Sequence, residues 1–423
     1  MSEVLENIVE ELQLDRSDWK LTKFGDVTIQ QKKKVDRENT LLTRYIKGEH
    51  MRSEDLHIRE WGNLTDEYLG PAFIRKFEKG DILYGSRRTY LRKVAIADFD
   101  GITSNTTFVI KANEKKLDKR LLPFIMLSEG FAENSIKNSK GSVNPYVNWK
   151  DLAKYEFLLP PLDQQAELAE LLCAMDEVIE RETELKKKAS IKYEVSKSNL
   201  VLKGLNNQIT RSDKLKSDVA EHWKITTIGE LIRNKFIIKV QDGNHGEIHP
   251  KSSDYIDDGI PFIMANTLIN GKIDFDKSKK LPQSITDSLR IGFSYPNDIL
   301  LSHKGTVGEV AIVSEKIKYP YVILTPQVTL YRTNNKKLKH KFLYYVFNSR
   351  YFQNQLLRLS SQSTRAYVGI TSQKSLKIAI PYSIEEQNKI INVLSKVEKN
   401  LKAINSKISS SKALQKSLIN QVF

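Results

Sequence analysis

The sequence predicts an α+β protein built from two similar strand-rich domains, each followed by a long helix. The first observation is an internal repeat: Trp19-Lys20-Leu21-Thr22 returns as Trp223-Lys224-Ile225-Thr226, and residues 104–160 align without a gap on 325–381. The second is that short β-rich runs alternate with turn signals in both copies. The third is a heptad-like apolar pattern after each copy. A repeat of this length has the size of a domain. We therefore expect a pseudo-two-fold chain whose two long helices form an antiparallel coiled coil between the domains.

The composition bounds the class of protein. With 423 residues, 40% of them hydrophobic and 28% charged, the chain should be soluble and globular, with two or three domains. A net charge of +15 and a pI near 9.4 favour a polyanionic partner, nucleic acid first, although a lysine-rich proteome would give the same balance. The single cysteine, Cys173, excludes an internal disulfide. Because no signal peptide or apolar run of 18 residues is present, we expect a cytoplasmic protein without a membrane span.

The first domain is expected over residues 1–160, with a short helical lead-in at 1–17. Strands are expected at 94–96 and 106–110, and one amphipathic helix at about 117–135. Pro160-Pro161 should end the domain, because two prolines continue neither a strand ladder nor a helix interior.

The first spacer helix is expected over 161–205, followed by a linker at 206–222, a second domain at 223–381 and a second spacer helix at 382–423. Apolar residues that recur every three or four positions define a seam on each helix. On the first helix the seam is Leu168, Leu171, Met175, Val178, Glu182, Leu185 and Ala189; on the second it is Ile390, Leu394, Val397, Leu401, Ile404, Ile408, Leu414 and Leu418.

Three short patterns resemble catalytic or ligand-binding motifs. Asn144-Pro145-Tyr146 resembles part of an adenine methyltransferase loop, but it lacks one proline and a cofactor-binding glycine loop upstream, so coincidence is favoured. Gly305-Thr306-Val307-Gly308 is better explained as a hairpin turn than as a phosphate loop. His245 and His249 have the spacing of metal ligands, but the neighbouring glycines and proline favour a polar loop.

Candidate DNA contacts lie in loops that mix cationic, polar and aromatic side chains, because arginine can bridge guanine edges, asparagine can pair with adenine, and serine or threonine can hold phosphates. The three segments are 84–93, 140–146 with its repeat 362–367, and 302–306, which includes His303. The candidates are Arg87, Arg88, Tyr90, Arg92, Lys93, Lys140, Ser142, Asn144, Tyr146, Lys304, Thr306, Ser363, Thr364, Arg365 and Tyr367. Solvated turns are the alternative for each. Because Tyr146 and Tyr367 are equivalent in the repeat, they favour a shared structural or backbone role over base recognition.

Two motifs recur along the chain. The junction of each domain with its helix is Leu159-Pro160-Pro161-Leu162-Asp163-Gln164-Gln165 in the first copy and Ile380-Pro381-Tyr382-Ser383-Ile384-Glu385-Glu386-Gln387 in the second. In the second copy a strand beginning Asp298-Ile299-Leu300 leads into a hairpin, Gly305-Thr306-Val307-Gly308-Glu309-Val310-Ala311. In this order and twice over, these motifs resemble those of the specificity subunit of type I restriction–modification enzymes along the whole chain. The first copy departs from the family's hairpin, because 86–91 lacks both glycines and its turn is in doubt.

The resemblance implies that each domain recognises one half of a bipartite, asymmetric DNA site and that the helices set the spacing between the halves. It also implies two methyltransferase subunits as partners, while the sequence leaves the motor subunits open. The chain itself would do no chemistry and hold no cofactor or metal. S-adenosylmethionine, ATP and magnesium would be held by the partner subunits.

Two rival interpretations come from other classes of protein. A self-sufficient nuclease or methyltransferase is disfavoured by the missing catalytic motifs. A coiled-coil scaffold with two β-rich domains that bind protein or carbohydrate would show no steep salt dependence of binding to duplex DNA.

Overall fold

The computed structural model describes residues 15–37, 39–205, 208–245, 248–361 and 366–423. The expected lead-in helix lies almost wholly outside these residues. The chain divides into two compact units, unit 1 (Met1–Lys186 with Ile404–Phe423) and unit 2 (Lys187–Ala403). The boundary between the units crosses both long helices.

Unit 1 contains ten strands and four short helices within its described residues. The strands are β1 (Lys20–Lys23), β2 (Thr28–Gln31), β3 (Arg44–Ile46), β4 (Gly62–Asn63), β5 (Phe73–Phe77), β6 (Ile82–Gly85), β7 (Val94–Ile96), β8 (Gly101–Ser104), β9 (Thr107–Ala112) and β10 (Glu156–Leu159). The helices are α1 (Phe24–Val27), α2 (Leu122–Leu127), α3 (Glu129–Lys137) and α4 (Trp149–Leu152). The long helix α5 (Leu162–Lys203) begins in unit 1 and ends in unit 2.

Within its described residues, unit 2 repeats this order with an additional hairpin, two further short strands and one further short helix. Its strands are β11 (Ile209–Ser212), β12 (Ser217–Ala220), β13 (Lys224–Thr227), β14 (Ile237–Asp242), β15 (Ile260–Ile263), β16 (Leu268–Ile269), β17 (Lys272–Ile273), β18 (Lys279–Leu281), β19 (Phe293–Ser294), β20 (Ile299–Lys304), β21 (Thr306–Ile312), β22 (Val322–Leu324), β23 (Val328–Thr333) and β24 (Lys377–Ile380). Its helices are α6 (Ile228–Arg233), α7 (Gln283–Ser288), α8 (His340–Phe347), α9 (Arg350–Ser360), α10 (Ile370–Lys374) and the long α11 (Ile384–Val422), which ends in unit 1.

The sheet topology is the same in both units. In unit 1 the orders are β2-β9-β6-β7, β4-β3-β8-β5 and β1-β10; in unit 2 they are β14-β23-β20-β21, β18-β15-β22-β19 and β13-β24. The parallel pairing of two strands also recurs, β3 with β8 and β15 with β22. The internal repeat of the sequence is therefore a repeat of the fold, and the predicted α+β class with two similar domains is confirmed.

A buried glutamine fixes the junction between each strand-rich domain and its long helix. In unit 1 the Gln165 side chain accepts from the Asp118 N–H at 2.8 Å and donates to the carbonyls of Lys116 at 3.1 Å and Pro160 at 2.9 Å. In unit 2 Gln387 makes the same three contacts, with the Lys339 N–H at 2.8 Å and with the carbonyls of Lys337 and Pro381, both at 3.1 Å. Both side chains are fully enclosed. These bonds satisfy backbone groups that burial would otherwise leave without partners.

Within each unit the two long helices run antiparallel. In unit 1 the Gln415 amide donates to the Leu172 carbonyl at 3.4 Å, and Glu182 forms an ion pair with Lys407. In unit 2 the Tyr193 hydroxyl donates to Glu398 at 2.6 Å. Residue numbers rise along one helix as they fall along the other, as the sequence predicts.

The predicted seam of α5 is correct at its start and wrong further on. Leu168, Met175 and Glu182 are buried, but Leu185 is 58% exposed. Leu172 and Ile179, which the seam omitted, are buried instead. A strict coiled-coil seam is narrower than the face buried here, because the first turns of α5 pack against the core of unit 1 as well as against α11.

The single helix expected at 117–135 is two helices, α2 and α3. Ser128 separates them with an extended backbone (φ −60°, ψ 152°), and its hydroxyl accepts from the Phe131 N–H as an N-cap. Ser349 has the same extended conformation between α8 and α9. The strand expected at 94–96 is confirmed as β7, and the one at 106–110 is the longer β9. The segment expected to be a linker contains the β11–β12 hairpin.

Candidate nucleic-acid interface

The hairpin β20–β21 carries the cationic tip of unit 2. Lys304 pairs with Thr306 across Gly305, which has φ of +78°, and Gly308 has φ of +103°. Both values lie in the left-handed region that glycine adopts without steric cost. The expected hairpin is confirmed. Lys304 and Thr306 are both exposed at its end.

In unit 1 the loop that corresponds to this hairpin tip has arginines, not glycines, at its left-handed positions. Between β6 and β7 the chain makes a short 3-10 helix, Thr89–Leu91, flanked by Arg88 and Arg92 in the left-handed conformation (φ 51° and 49°). The doubt about a tight hairpin is thus justified, since a longer loop replaces it. Arg88 and Arg92 thus adopt the left-handed backbone conformation that Gly305 and Gly308 adopt in unit 2, at a steric cost that glycine does not have.

A second segment crosses this loop in unit 1. Lys140 and Tyr146 exchange two backbone hydrogen bonds, at 2.8 and 2.9 Å, and Tyr146 also bridges to Arg87. The Arg88 N–H donates to the Pro145 carbonyl at 2.6 Å, and its Nε donates to the Asn144 side chain at 2.9 Å. Asn144-Pro145-Tyr146 therefore lies against Arg88.

Unit 2 has the same crossing. Lys304 bridges to Tyr367 as Arg87 does to Tyr146. The Gly305 N–H donates to the Ala366 carbonyl at 3.2 Å, and the Val368 N–H donates to the His303 carbonyl at 2.9 Å. We call residues 86–93 with 140–147 in unit 1, and 302–307 with 366–368 in unit 2, the loop pair of each unit. The candidates Ser363, Thr364 and Arg365 lie outside the described residues.

The loop pairs bring most of the candidate residues together at the surface. In unit 1 the exposed members are Arg87, Arg88, Tyr90, Lys140, Ser142, Asn144 and Tyr146; in unit 2 they are Lys304, Thr306 and Tyr367. Tyr146 is 44% exposed and Tyr367 48% exposed. Each loop pair thus presents at least one cation, an amide or hydroxyl group and at least one aromatic ring, which is a combination suited to phosphates and base edges.

Arg92 and Lys93, which were also candidates for DNA contact, have side chains that are bound within unit 1. The Arg92 guanidinium is held by Glu54 at 3.0 Å, by Glu129 at 2.8 Å and by the Leu127 carbonyl at 2.6 Å. Lys93 donates to the Gly48 carbonyl, and burial lowers the pKa of its ammonium group. Both side chains are committed to contacts inside unit 1. Their partners are distant in sequence, so local pattern could not reveal them.

His303 was expected in an exposed loop, but the structure buries it beneath the loop pair of unit 2, where it is 1% exposed. Its Nδ1 lies 2.9 Å from the Thr329 hydroxyl, which donates to Asp242 at 2.6 Å. Gln373 donates to the same Thr329 oxygen at 3.0 Å and to the Val368 carbonyl at 2.7 Å, and accepts from the Tyr331 hydroxyl. Burial lowers the pKa of His303, although Asp242 opposes this shift. Burial therefore favours the neutral imidazole, and the Tyr367 ring lies beside it, tilted, with the ring centroids 5.6 Å apart.

We call the side chains beneath each loop pair its floor, and two of the floor positions of unit 1 are apolar. Phe108 aligns with Thr329 and Leu152 with Gln373 in the ungapped repeat. Phe108 stacks on Tyr84 with ring centroids 6.4 Å apart and meets Trp149 edge-on at 6.1 Å. The signal for this difference is present in the aligned residues, because one strand position is phenylalanine in the first copy and threonine in the second.

The histidines considered as metal ligands lie in a loop, as favoured from the sequence. The His245 Nδ1 lies 2.8 Å from the Gly243 carbonyl. In the part of the chain that the structure describes, no group of three or more histidine, cysteine or carboxylate side chains could hold a metal ion. Within the same residues, no helix combines the length and the apolar character needed to cross a bilayer.

Comparison with known proteins identifies the family of this chain. A family model described as "Type I restriction modification DNA specificity domain" matches residues 16–193 and 220–411, which together are most of the chain. The chain therefore belongs to the family of type I restriction–modification specificity subunits. Specificity subunits are the non-catalytic components of these enzymes.

Individual relatives agree with this assignment. The chain is similar to the type I restriction enzyme MjaVIII specificity subunit of Methanocaldococcus jannaschii, with 23% identity over 406 residues that cover 90% of this chain and 86% of the relative. It is also similar to the EcoBI specificity subunit of Escherichia coli, with 23% identity over 296 residues that cover 67% of this chain and 59% of the relative.

Solved structures share the fold. A chain from a study of complex assembly and conformational transition of the type I restriction–modification system superposes with a TM-score of 0.57 at 18% identity, covering 96% of this chain and 97% of that one. The S subunit from M. genitalium superposes with a TM-score of 0.57 at 14% identity, covering 97% of this chain and 98% of that one.

Proposed function

We propose that this specificity subunit recognises a bipartite, asymmetric sequence in duplex DNA, with one half-site bound by the loop pair of each unit. The observation that carries this proposal is the loop pair itself. The backbone contacts of Arg87 with Tyr146 recur as those of Lys304 with Tyr367, while the side chains around them differ. A shared frame with different exposed groups is what two recognition surfaces for two different half-sites require.

The roles of the individual side chains follow from their geometry. Arg88 projects from a left-handed backbone and is oriented by Asn144, so its guanidinium is suited to a guanine edge. Arg87 and Lys304, next to the repeated tyrosines, are suited to phosphates, because a contact common to both half-sites cannot depend on base identity.

The proposal extends to partners and place of action. Two methyltransferase subunits would hold S-adenosylmethionine and methylate one adenine in each half-site, and motor subunits would use ATP and magnesium. The long helices would set the spacing between half-sites. The complex would act in the cytoplasm. The net charge of +15 supports association with a polyanion.

Mapping of N6-methyladenine across the genome, in the source cell and in a strain without this gene, tests the proposal. The expected result is a split motif with one methylated adenine per half that disappears on deletion. If the methylation pattern is unchanged on deletion in cells that make the chain together with its methyltransferase subunits, the proposal is wrong. A chain that binds protein or carbohydrate instead would then be the better interpretation.

A further inference from the structure

A basic pocket lies in unit 2 beside α9. The cavity, of about 350 Å³, is lined by four cationic side chains, Lys203, Lys216, Arg350 and Arg358, and by the polar side chains of Asn354 and Gln355 among others. None of the residues that line it is acidic. Lys203 lies 3.6 Å from Asp218, which stands outside the lining.

Three of the four cations lack a counterion among the residues that the structure describes. Within those residues, no carboxylate lies within ion-pair distance of Lys216, Arg350 or Arg358, and both arginines are exposed. Three unpaired cations that surround one cavity repel each other, and an anion placed there would reduce this repulsion. Arginine and lysine together are suited to phosphate oxygens.

The pocket does not recur in unit 1. In the ungapped alignment Glu129 takes the place of Arg350 and Glu133 that of Asn354. Glu129 is neutralised within unit 1 by Arg92 at 2.8 Å and by Lys416 at 3.6 Å. A surface for two identical methyltransferase subunits should be present in both units, so this pocket does not fit that partner.

The position of the pocket points to nucleic acid. Helix α9 carries Arg350 and Arg358 and leads, through the segment after Ser360, to Tyr367 of the loop pair. The Gln353 side chain ties the same helix to the hairpin by donating to the Gly308 carbonyl at 2.9 Å. The two arginines are eight residues apart, which is about 12 Å along a helix. That length corresponds to roughly three or four phosphates of one strand, measured along the duplex axis.

We infer that the basic pocket binds backbone phosphates of the DNA next to the half-site recognised by unit 2, so that unit 2 has a phosphate contact that unit 1 lacks. This inference rests on the proposed function and adds a site to it. The contact supplies affinity and fixes the position of unit 2 on the duplex without selecting bases.

The test is a salt titration of DNA binding by the full chain, purified with its methyltransferase subunits, on a duplex that carries the methylated motif. The Arg350→Ala/Arg358→Ala variant should reduce the slope of log K against log salt by about 1.8, since each lost phosphate contact contributes about 0.9. Each contact should also be worth about five-fold in affinity at 0.15 M salt, by the same relation. The methylated motif should stay the same.

Two control variants sharpen the result. Lys137→Ala changes the residue of unit 1 that aligns with Arg358 and should leave the slope unchanged. Arg350→Lys/Arg358→Lys keeps both charges and should retain most of the slope, which separates loss of charge from loss of folding.

The outcomes distinguish the inference from the function on which it rests. If the wild-type complex binds its motif with steep salt dependence and the double alanine variant does the same, the pocket does not contact DNA. If that variant loses its methyltransferase subunits while the chain's DNA binding is unaffected, the pocket binds protein and the inference is wrong. If the wild-type complex shows no salt-dependent binding to the duplex, the proposed function itself fails.

Discussion

Beneath the loop pair of unit 2 lies a set of hydrogen-bonded polar side chains, whereas two of the same positions in unit 1 hold an aromatic and an aliphatic group. Thr329 and Gln373 of unit 2 correspond to Phe108 and Leu152 of unit 1. The junction glutamines Gln165 and Gln387, by contrast, make the same three contacts in both units. The junctions between domain and helix are thus common to both units, whereas the side chains beneath the exposed loops differ between them. This difference is expected if the two units recognise different sequences.

Exchange of a whole unit should have the largest effect. Replacing residues 223–381 with the corresponding domain of another specificity subunit should change one half of the methylated motif completely and leave the other half unchanged, because the two loop pairs lie in separate units. Methylation mapping of cells that carry the hybrid gives the answer. A change in both halves would mean that the units do not recognise DNA independently.

Making the floor of unit 2 resemble that of unit 1 should be costly. Gln373→Leu leaves the Tyr331 hydroxyl and the Val368 carbonyl without their partner inside the core. We expect a loss of about 2–4 kcal/mol in the free energy of unfolding, typical of breaking a buried hydrogen-bond network. Denaturant titration followed by tryptophan fluorescence measures it.

The junction glutamines provide the matched control for this variant. Gln165→Leu and Gln387→Leu should cost similar amounts in the two units, because the contacts are the same. If Gln373→Leu is neutral, the polar floor does not stabilise unit 2 and the comparison between the units loses its energetic basis.

Truncation at the tip of unit 1 should have a smaller and more local effect. Arg88→Ala removes the guanidinium that Asn144 orients. We expect a loss of about 1–3 kcal/mol in binding, together with relaxed base preference at one position of a single half-site. Binding to a panel of duplexes with single substitutions measures both quantities. A uniform loss across the panel would assign Arg88 to a phosphate instead.

Acidification should act in opposite directions on two histidines, the half-buried His57 and the buried His303. The hydrogen bond with Asp176 raises the pKa of His57 in unit 1, so its contribution to stability is present below the unfolded value near 6.5 and is lost as the pH rises through the folded value. Burial lowers the pKa of His303 in unit 2, so its contribution is present above the unfolded value and is lost as the pH falls through the folded value.

Melting temperatures of the wild type, His57→Asn and His303→Asn between pH 5.5 and 7.5 test this difference. Removing His303 should lessen the loss of stability on acidification, and removing His57 should lessen the gain. Equal pH profiles for all three proteins would contradict both assignments.

Much of the fold could be predicted because the internal repeat aligns position by position and because turn residues act on their immediate neighbours. Aligned positions such as Tyr146 and Tyr367 occupy equivalent bridges, and Pro160-Pro161 ends the first strand-rich domain directly before α5 begins. Glycines at positions 305 and 308 predicted the hairpin, since its left-handed backbone is determined by neighbouring residues. The family resemblance rested on these same short-range patterns.

The tertiary structure decided what depends on partners distant in sequence. The sequence predicts Arg92 to be a surface cation, but in the fold it pairs with Glu54 and Glu129. The sequence also predicts His303 to be exposed, but in the fold it is buried next to Tyr367. Leu185 fits the heptad seam but is exposed, because burial depends on which surface the helix meets. The sequence by itself determined the repeat and the fold class through its periodicity and turn residues, and it indicated the family through the motifs at the domain junctions and the hairpin. Which cations are free to meet DNA was decided only by folding, because an ion pair depends on distance in space and not on spacing along the chain.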